Sequence, residues 1–525
     1  MTNLKKLTSF FTAIITCLLI VAFNATQTND ETGALADLVK IETGLVSGTK
    51  SPDHSISIFK GIPFAAPPVG DLRWKAPQPV QPWQGVKKCD AFGPSPMQSK
   101  PAAFSMWSEE FLIPGEPISE DCLYLNLWTG AKTNKEKRPV LVWVYGGGFN
   151  SGGAGVPIYD GEALAKKGIV FVSFNYRVGV FGFFAHPELT KESPYHASGN
   201  YGLLDQVAAL KWVQKNIAAF GGDPANVTIA GQSAGSMSVN CLVATPLAKG
   251  LFTKAIAESG ANFSRGSATI QQAEKDGIKL AEKLNAPTIA GLRSMPADDL
   301  FKKAQGQRGV IIDGYVLPET IAEIFAARKQ NDVALLTGWN QDEGLLSGPI
   351  KNATDFRKQV AERYGADSTN FLKHYPASTD AEAATSQLNL SRDMIFGAQN
   401  YTWANIASQQ GKKVYVYRFT RKVPATGEYV KYGAFHTGEV PYAYNNLKFV
   451  NRPWQPEDHK LAEVMSSFWT NFIITGNPNG SGLPNWLAYT TKDKKIMDLG
   501  ITQKAVTIPD APALDFIAAK MGSSQ

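Results

Sequence analysis

Val227-Thr228-Ile229-Ala230-Gly231-Gln232-Ser233-Ala234-Gly235-Ser236-Met237-Ser238-Val239 reads as a buried strand, a tight turn and the opening of a helix. A β-branched run ending in G-x-S-x-G is the nucleophile-elbow pattern: its glycines let strand and helix approach closely while the serine hydroxyl is pushed out at the sheet's edge. The helix N-terminus that follows points free N–H groups toward that hydroxyl. With Gly and Ser each near 7% of residues, a bare G-x-S-x-G arises by chance in roughly one chain in five of this length. The pentapeptide therefore counts only through its placement and its partners.

A serine hydroxyl is inert at neutral pH without a base, and the base needs an acceptor to fix its tautomer. In a strand–elbow–helix fold the chain order is nucleophile, acid, histidine. Of six histidines, His54, His186 and His196 precede Ser233, and His374 and His459 lie in charged, helix-like contexts. His436 sits in the glycine-flanked stretch Tyr432-Gly433-Ala434-Phe435-His436-Thr437-Gly438, after a strand read at residues 413–419. A loop at the end of a strand is where a base should be presented. For the acid, the strand at residues 333–338 runs into Trp339-Asn340-Gln341-Asp342-Glu343-Gly344. Adjacent side chains diverge, so only one of Asp342 and Glu343 can face His436, and spacing does not choose between them.

Upstream, Pro139-Val140-Leu141-Val142-Trp143-Val144-Tyr145 is continuously apolar, as a central strand covered on both faces must be. It runs into Gly146-Gly147-Gly148-Phe149. Three consecutive glycines carry a large entropy cost unless the backbone must approach something closely. An oxyanion hole needs such bare N–H donors, each lowering a barrier by roughly 3–4 kcal/mol. Residues 123–128 alternate like a half-buried strand, 169–174 form another strand, and apolar residues from Leu203 to Ile217 recur at helical spacing. With later strands near 254–258, 333–338 and 413–419, this rhythm predicts an α/β fold: a mostly parallel sheet with helices on both faces. The charged helical stretches 265–330 and 350–410 are expected to cap the sheet's C-terminal edge, within a single large domain spanning 30–525.

The 525 residues have an ordinary globular composition and a formal charge of +6. No basic block of the kind nucleic-acid binding needs is present. Residues 1–25 carry Lys5 and Lys6, then an apolar stretch to Phe23, which is the pattern of an export signal. If uncleaved, it would anchor the N-terminus to a membrane; the remainder offers no spanning segment. Export to an oxidising compartment permits a disulfide, and Cys89 with Cys122 would close a loop rich in Pro, Phe, Met and Trp. That loop is expected as a lid or gorge wall, or alternatively as a satellite core. Cys241 falls on the apolar face of the helix after Ser233 and reads as a reduced core residue.

Assembled in this way, the chain resembles the type-B carboxylesterases over nearly all its length after the signal. The resemblance rests on Phe59-Lys60-Gly61-Ile62-Pro63-Phe64-Ala65, Ser119-Glu120-Asp121-Cys122-Leu123-Tyr124-Leu125-Asn126, Trp143-Val144-Tyr145-Gly146-Gly147-Gly148-Phe149, Asn200-Tyr201-Gly202-Leu203-Leu204-Asp205-Gln206, the elbow, and Thr475-Gly476-Asn477-Pro478-Asn479. It implies the α/β-hydrolase fold with a helical cap, and a serine ester hydrolase working through an acyl-enzyme. It chooses Glu343 as the acid of a Ser233–His436–Glu343 triad and assigns oxyanion donors to the N–H groups of Gly147, Gly148 and Ala234. It also supports the Cys89–Cys122 bridge, makes Ser259 a partner of the acid, and implies ion pairs Arg73–Glu120 and Arg177–Asp223. Tyr145 stands where lipase-like relatives carry His, and Leu345 and Leu346 replace aromatics that line the choline site of cholinesterases, so a dedicated cholinesterase is disfavoured. The expected partner is a small-molecule ester, with no cofactor or metal. The same triad would serve an amide, carbamate or carbonate bond, and the rival of another class is a non-catalytic adhesion or binding protein of the same fold. Oligomeric state is not readable from the sequence.

Overall fold

The apolar runs become the middle of a sheet. In the computed structural model, which describes residues 38–115, 117–264, 268–306, 308–346 and 348–523, eleven strands share it. They are β1 (Thr49–Lys50), β2 (Ser57–Pro63), β3 (Tyr124–Thr129), β4 (Arg138–Val144), β5 (Val170–Phe174), β6 (Gly222–Gln232), β7 (Lys254–Glu258), β8 (Ala334–Asn340), β9 (Val414–Phe419), β10 (Lys495–Leu499) and β11 (Lys504–Thr507). Their spatial order is β11-β10-β9-β8-β7-β6-β4-β5-β3-β2-β1. Strands β4 to β10 run parallel, and antiparallel strands close both edges. The expected export segment, residues 1–25, lies outside the described residues.

Sequence explains the parallel centre. Val140 through Val144 and Val170 through Phe174 are buried without a break, so each strand needs apolar residues on both faces. Each such side chain removed from water contributes about 1.5–3 kcal/mol before chain entropy is charged against it. Helices α1 (Tyr201–Asn216), α2 (Ala234–Ala244), α3 (Ala398–Gln409) and α4 (Pro456–Thr475) accompany the parallel strands. Helix α4 has textual start and stop signals: Gln455 and Asp458 form a reciprocal cap, Pro456 opens it, and Gly476 closes it at φ 76°.

Residues 123–128 differ from expectation. The alternation suggests one solvated face, yet from Leu125 to Thr129 strand β3 is buried throughout, because it lies inside the sheet between β5 and β2. A second, smaller apolar cluster joins Trp74, Met97, Phe181, Phe184 and Tyr201 to Leu280, Ile289, Leu292 and Leu300, which come from helices in the 265–330 stretch.

Of the two ion pairs that the resemblance implies, one forms with a different partner and the other forms as expected. Arg177 does not pair with Asp223: its Nε and Nη2 bond the Asp205 carboxylate at 2.8 and 2.7 Å, and its backbone N–H adds a third bond at 3.0 Å. Arg177 follows the C-terminal end of β5, whereas Asp223 lies at the N-terminal end of parallel β6, so a strand's length separates them. Asp205, on the second turn of α1, faces the arginine instead. The Arg73–Glu120 pair forms as expected, two-pronged at 2.7 Å on each prong, while Arg73 Nη1 also bonds the carbonyls of Leu292 and Met295 at 2.9 Å.

The Cys89–Cys122 disulfide is absent, and both are buried free thiols, as is Cys241. The reason is the path of the chain. Cys89 is tied through its backbone to Ser47 and Lys60. Pro96 and Met97, further along, are among the residues that share a small cavity with Cys122, where Ser95 pairs with Ile118.

Candidate active site

The parallel strands order β5, β4, β6 reverses the chain's direction of travel across the sheet. Beyond the carboxyl ends of strands at such a reversal, α/β sheets leave a crevice. The residues that leave β4 are Gly146, Gly147 and Gly148, and the residue that leaves β6 is Ser233.

Ser233 adopts φ 60° and ψ −127° between β6 and α2, a conformation that costs an L-residue of order 1–3 kcal/mol and persists only where surroundings enforce it. The enforcing contact is close packing of glycines. A Cβ on Gly235 would lie 2.0 Å from the Val144 carbonyl oxygen, and one on Gly231 would lie 2.5 Å from the Gly235 backbone. Strand β4, strand β6 and helix α2 thus touch through bare backbone, and Ser233 is turned outward, partly accessible. Gly147 and Gly148 are both exposed; φ at Gly147 is +111°, and a Cβ there would strike the Ser151 carbonyl at 2.2 Å. Ala234 opens α2, so its N–H has no acceptor within the helix.

Strands β8 and β9 bring the other two groups. Glu343 follows β8 and is fully buried; Asp342 is exposed. The ambiguity between the neighbours is resolved by their contacts. His436 Nδ1 lies 2.8 Å from Glu343 Oε2, and the Asn340 backbone N–H donates to Glu343 Oε1 at 2.8 Å. Asp342 instead accepts from the Ala434 N–H at 2.9 Å, which pins the loop carrying His436. Ser259 follows β7 at φ 55°. Among the described residues its hydroxyl makes no well-aligned hydrogen bond, yet it is close enough to Glu343 to oppose the rise in that carboxyl's pKa.

Burial governs the electrostatics. It pushes the Glu343 carboxyl up from its ordinary range against the pull of the Asn340 N–H, Ser259, Arg392 and Arg418, and it lowers His436 to about 4, with Glu439 acting in the opposite sense. Both shifts oppose separated charges, so the resting pair holds a neutral imidazole able to take a proton.

Ser233, His436, Gly146, Gly147 and Gly148 line one cavity of about 900 Å³, open to solvent. Its walls carry Phe104, Trp107, Phe111 and Ile113 from the segment between the two cysteines, Phe301 and Ala304 from the 265–330 stretch, and Leu345. The segment 98–113 is therefore a gorge wall, while Met97 just before it belongs to the second apolar cluster: both expected roles are filled, by different residues.

A model described as the carboxylesterase family matches residues 36–517. The chain belongs to the carboxylesterase family. Curated relatives of this carboxylesterase include fumonisin B1 esterase of Sphingopyxis macrogoltabida, 37% identical over 87% of this chain and 85% of the relative. Para-nitrobenzyl esterase of Bacillus subtilis is 35% identical over 89% and 95%, and liver carboxylesterase 1 of Oryctolagus cuniculus is 34% identical over 87% of each. The carboxylesterase is thus an α/β-hydrolase-fold serine enzyme that hydrolyses carboxylic esters. Among its described residues no helix is long and apolar enough to cross a membrane, and no cluster of His, Cys, Asp or Glu has metal-binding form.

Sequence reasoning missed several groups around His436 in the carboxylesterase. Phe396 stacks on the imidazole with centroids 4.3 Å apart and planes 16° from parallel. It comes from a π-type turn, Asp393–Gly397, inside the stretch read as cap. Asn340 donates through Nδ2 to the Phe435 carbonyl at 2.8 Å and to Glu439, a fully buried acid one turn beyond His436. The signal available was Asn340 closing a largely apolar strand and Glu439 preceding the apolar Val440-Pro441-Tyr442-Ala443.

Proposed function

We propose that this carboxylesterase cleaves its ester through Ser233, His436 and Glu343. His436 Nε2 takes the Ser233 proton as Oγ attacks the ester carbonyl carbon. Glu343 holds Nδ1–H and stabilises the imidazolium. The N–H groups of Gly147, Gly148 and Ala234 receive the negative charge of the tetrahedral oxygen. His436 then gives its proton to the departing alcohol, leaving an acyl-Ser233 ester; water, deprotonated by the same imidazole, releases the acid and restores the serine. Ser259 supports Glu343 from β7.

The observation that carries this reading is the 2.8 Å His436–Glu343 bond, with His436 lining the same cavity onto which the strained Ser233 opens. The cavity's aromatic wall favours an ester with a bulky apolar group. Relatives named for fumonisin B1 and for para-nitrobenzyl substrates place such esters on the list to be tried. Residues 1–25 act as an export signal in this reading, delivering the enzyme outside the cytoplasm.

Ser233→Ala tests the assignment: turnover of a p-nitrophenyl short-chain ester should fall by at least about 10³-fold while thermal unfolding stays nearly unchanged. Activity retained by that variant would refute the role of Ser233. An adhesion protein of this fold would show no turnover in the wild type.

A further inference from the structure

His436 is clamped from above as well as below. Gln232 Nε2 lies 3.3 Å from His436 Nδ1 and 3.2 Å from Nε2. An atom nearly equidistant from both ring nitrogens at that range cannot lie in the ring plane, because it would overlap the Cε1 atom between them. The amide nitrogen therefore sits over the face of the imidazole, on the side opposite Phe396, whose stacked ring occupies the other face. With both faces occupied, the imidazole still lines the cavity.

The Gln232 amide is itself held at its other end. Its Oε1 accepts from the Thr437 hydroxyl at 3.4 Å, and Thr437 Oγ1 accepts from Trp107 Nε1–H at 3.1 Å. The chain thus runs from indole to hydroxyl to amide to imidazole: Gln232, His436 and Thr437 are buried, and Trp107 is half-buried on the cavity wall. Thr437 adopts φ +79°, a conformation a β-branched residue takes only when its surroundings impose it. Trp107 belongs to the cavity wall. It closes a tight turn in which Phe104 and Trp107 exchange backbone hydrogen bonds at 3.1 and 3.0 Å, and its ring stands edge-on to His436 at 6.2 Å.

We propose that Trp107, Thr437 and Gln232 are positioning residues that fix the tilt of the His436 imidazole, tying the base to the cavity wall. An amide with a free oxygen could rotate and present Nε2–H to the ring edge, where it would compete with Ser233. Two successive hydrogen bonds ending on a wall tryptophan prevent that rotation, so the geometry of the base depends on a segment that lines the cavity. The proposal rests on His436 being the catalytic base.

Steady-state kinetics on p-nitrophenyl butyrate with paired variants tests it. Thr437→Val removes the hydroxyl and keeps the branched shape, Thr437→Ser keeps the hydroxyl, and Trp107→Phe keeps an aromatic ring without the donor. Thr437→Val and Trp107→Phe should each lower kcat roughly tenfold with KM within about twofold. Thr437→Ser should stay within about twofold of the wild type, and the double variant should be no slower than the worse single, as links of one chain must behave. Losses that multiply to roughly a hundredfold, or that appear in KM with kcat unchanged, would overturn the proposal. If Thr437→Val fails to fold, an unchanged kcat in Trp107→Phe overturns it alone. A His436→Ala enzyme with normal turnover would instead remove the triad reading, an outcome separate from any of these.

Discussion

Phe396 lies against His436 with ring centroids 4.3 Å apart and planes 16° from parallel, so one whole face of the proposed base is fixed by a hydrocarbon ring. That face needs no solvent and tolerates no charge. Removing the ring in Phe396→Ala should leave a void and destabilise the fold by about 3–5 kcal/mol, while kcat falls by a larger factor than KM rises. Denaturant unfolding and ester kinetics on the same preparation measure the two effects together.

Burial sets the pH behaviour. Taking His436 out of water disfavours the imidazolium and lowers its pKa from 6.5 to about 4, so the neutral base persists at pH values where an exposed histidine would already be charged. The acid limb of kcat/KM should accordingly fall below pH 6.5, displaced toward 4, in a profile recorded with a substrate that does not itself titrate. A limb at or above 6.5 would contradict a desolvated base.

The Arg177–Asp205 pair is fully enclosed, and burial is the main influence on the Asp205 carboxyl, pushing it up against the arginine's pull. Asp205→Asn strands a buried guanidinium and should cost about 3–5 kcal/mol in urea unfolding. Asp223, whose carboxylate caps the nearby Ala225 N–H and acts on Lys254 through charge, should lose less than about 1 kcal/mol as Asp223→Asn. Equal losses would contradict the assignment of Asp205 as the arginine's partner.

The parallel core, the elbow and the glycine run are legible in the sequence because each is written in consecutive residues. An unbroken apolar strand has one physical solution, and Gly231 and Gly235 mark a contact too close for any Cβ. His436 and Glu343 are found by elimination and resemblance, and only coordinates turn Asp342 away toward Ala434. What stays illegible depends on which end of an element a residue occupies. Asp205 and Asp223 are chemically equal candidates until the direction of β6 separates them. Phe396 and Trp107 belong to segments with no strand period, so nothing local announces that both meet one histidine.

The same blindness to path explains the cysteines. Burial raises the Cys89 thiol to about 12 and Cys122 well above its usual range, so both should resist alkylation in the native enzyme. Iodoacetamide added after denaturation without reductant should modify Cys89, Cys122 and Cys241, with no further mass gain at these sites when reductant is included. A gain of two adducts on Cys89 and Cys122 only after reduction would establish the disulfide.

The central claim is that Ser233 is the one serine made nucleophilic by His436 and Glu343. A fluorophosphonate probe reports this directly, since it bonds covalently only to a serine activated in this way. Peptide mapping of the labelled wild type should find a single adduct on the peptide containing Gly231-Gln232-Ser233-Ala234-Gly235, lost in His436→Ala. Labelling of a different serine, or unchanged labelling of Ser233 in His436→Ala, would contradict the account.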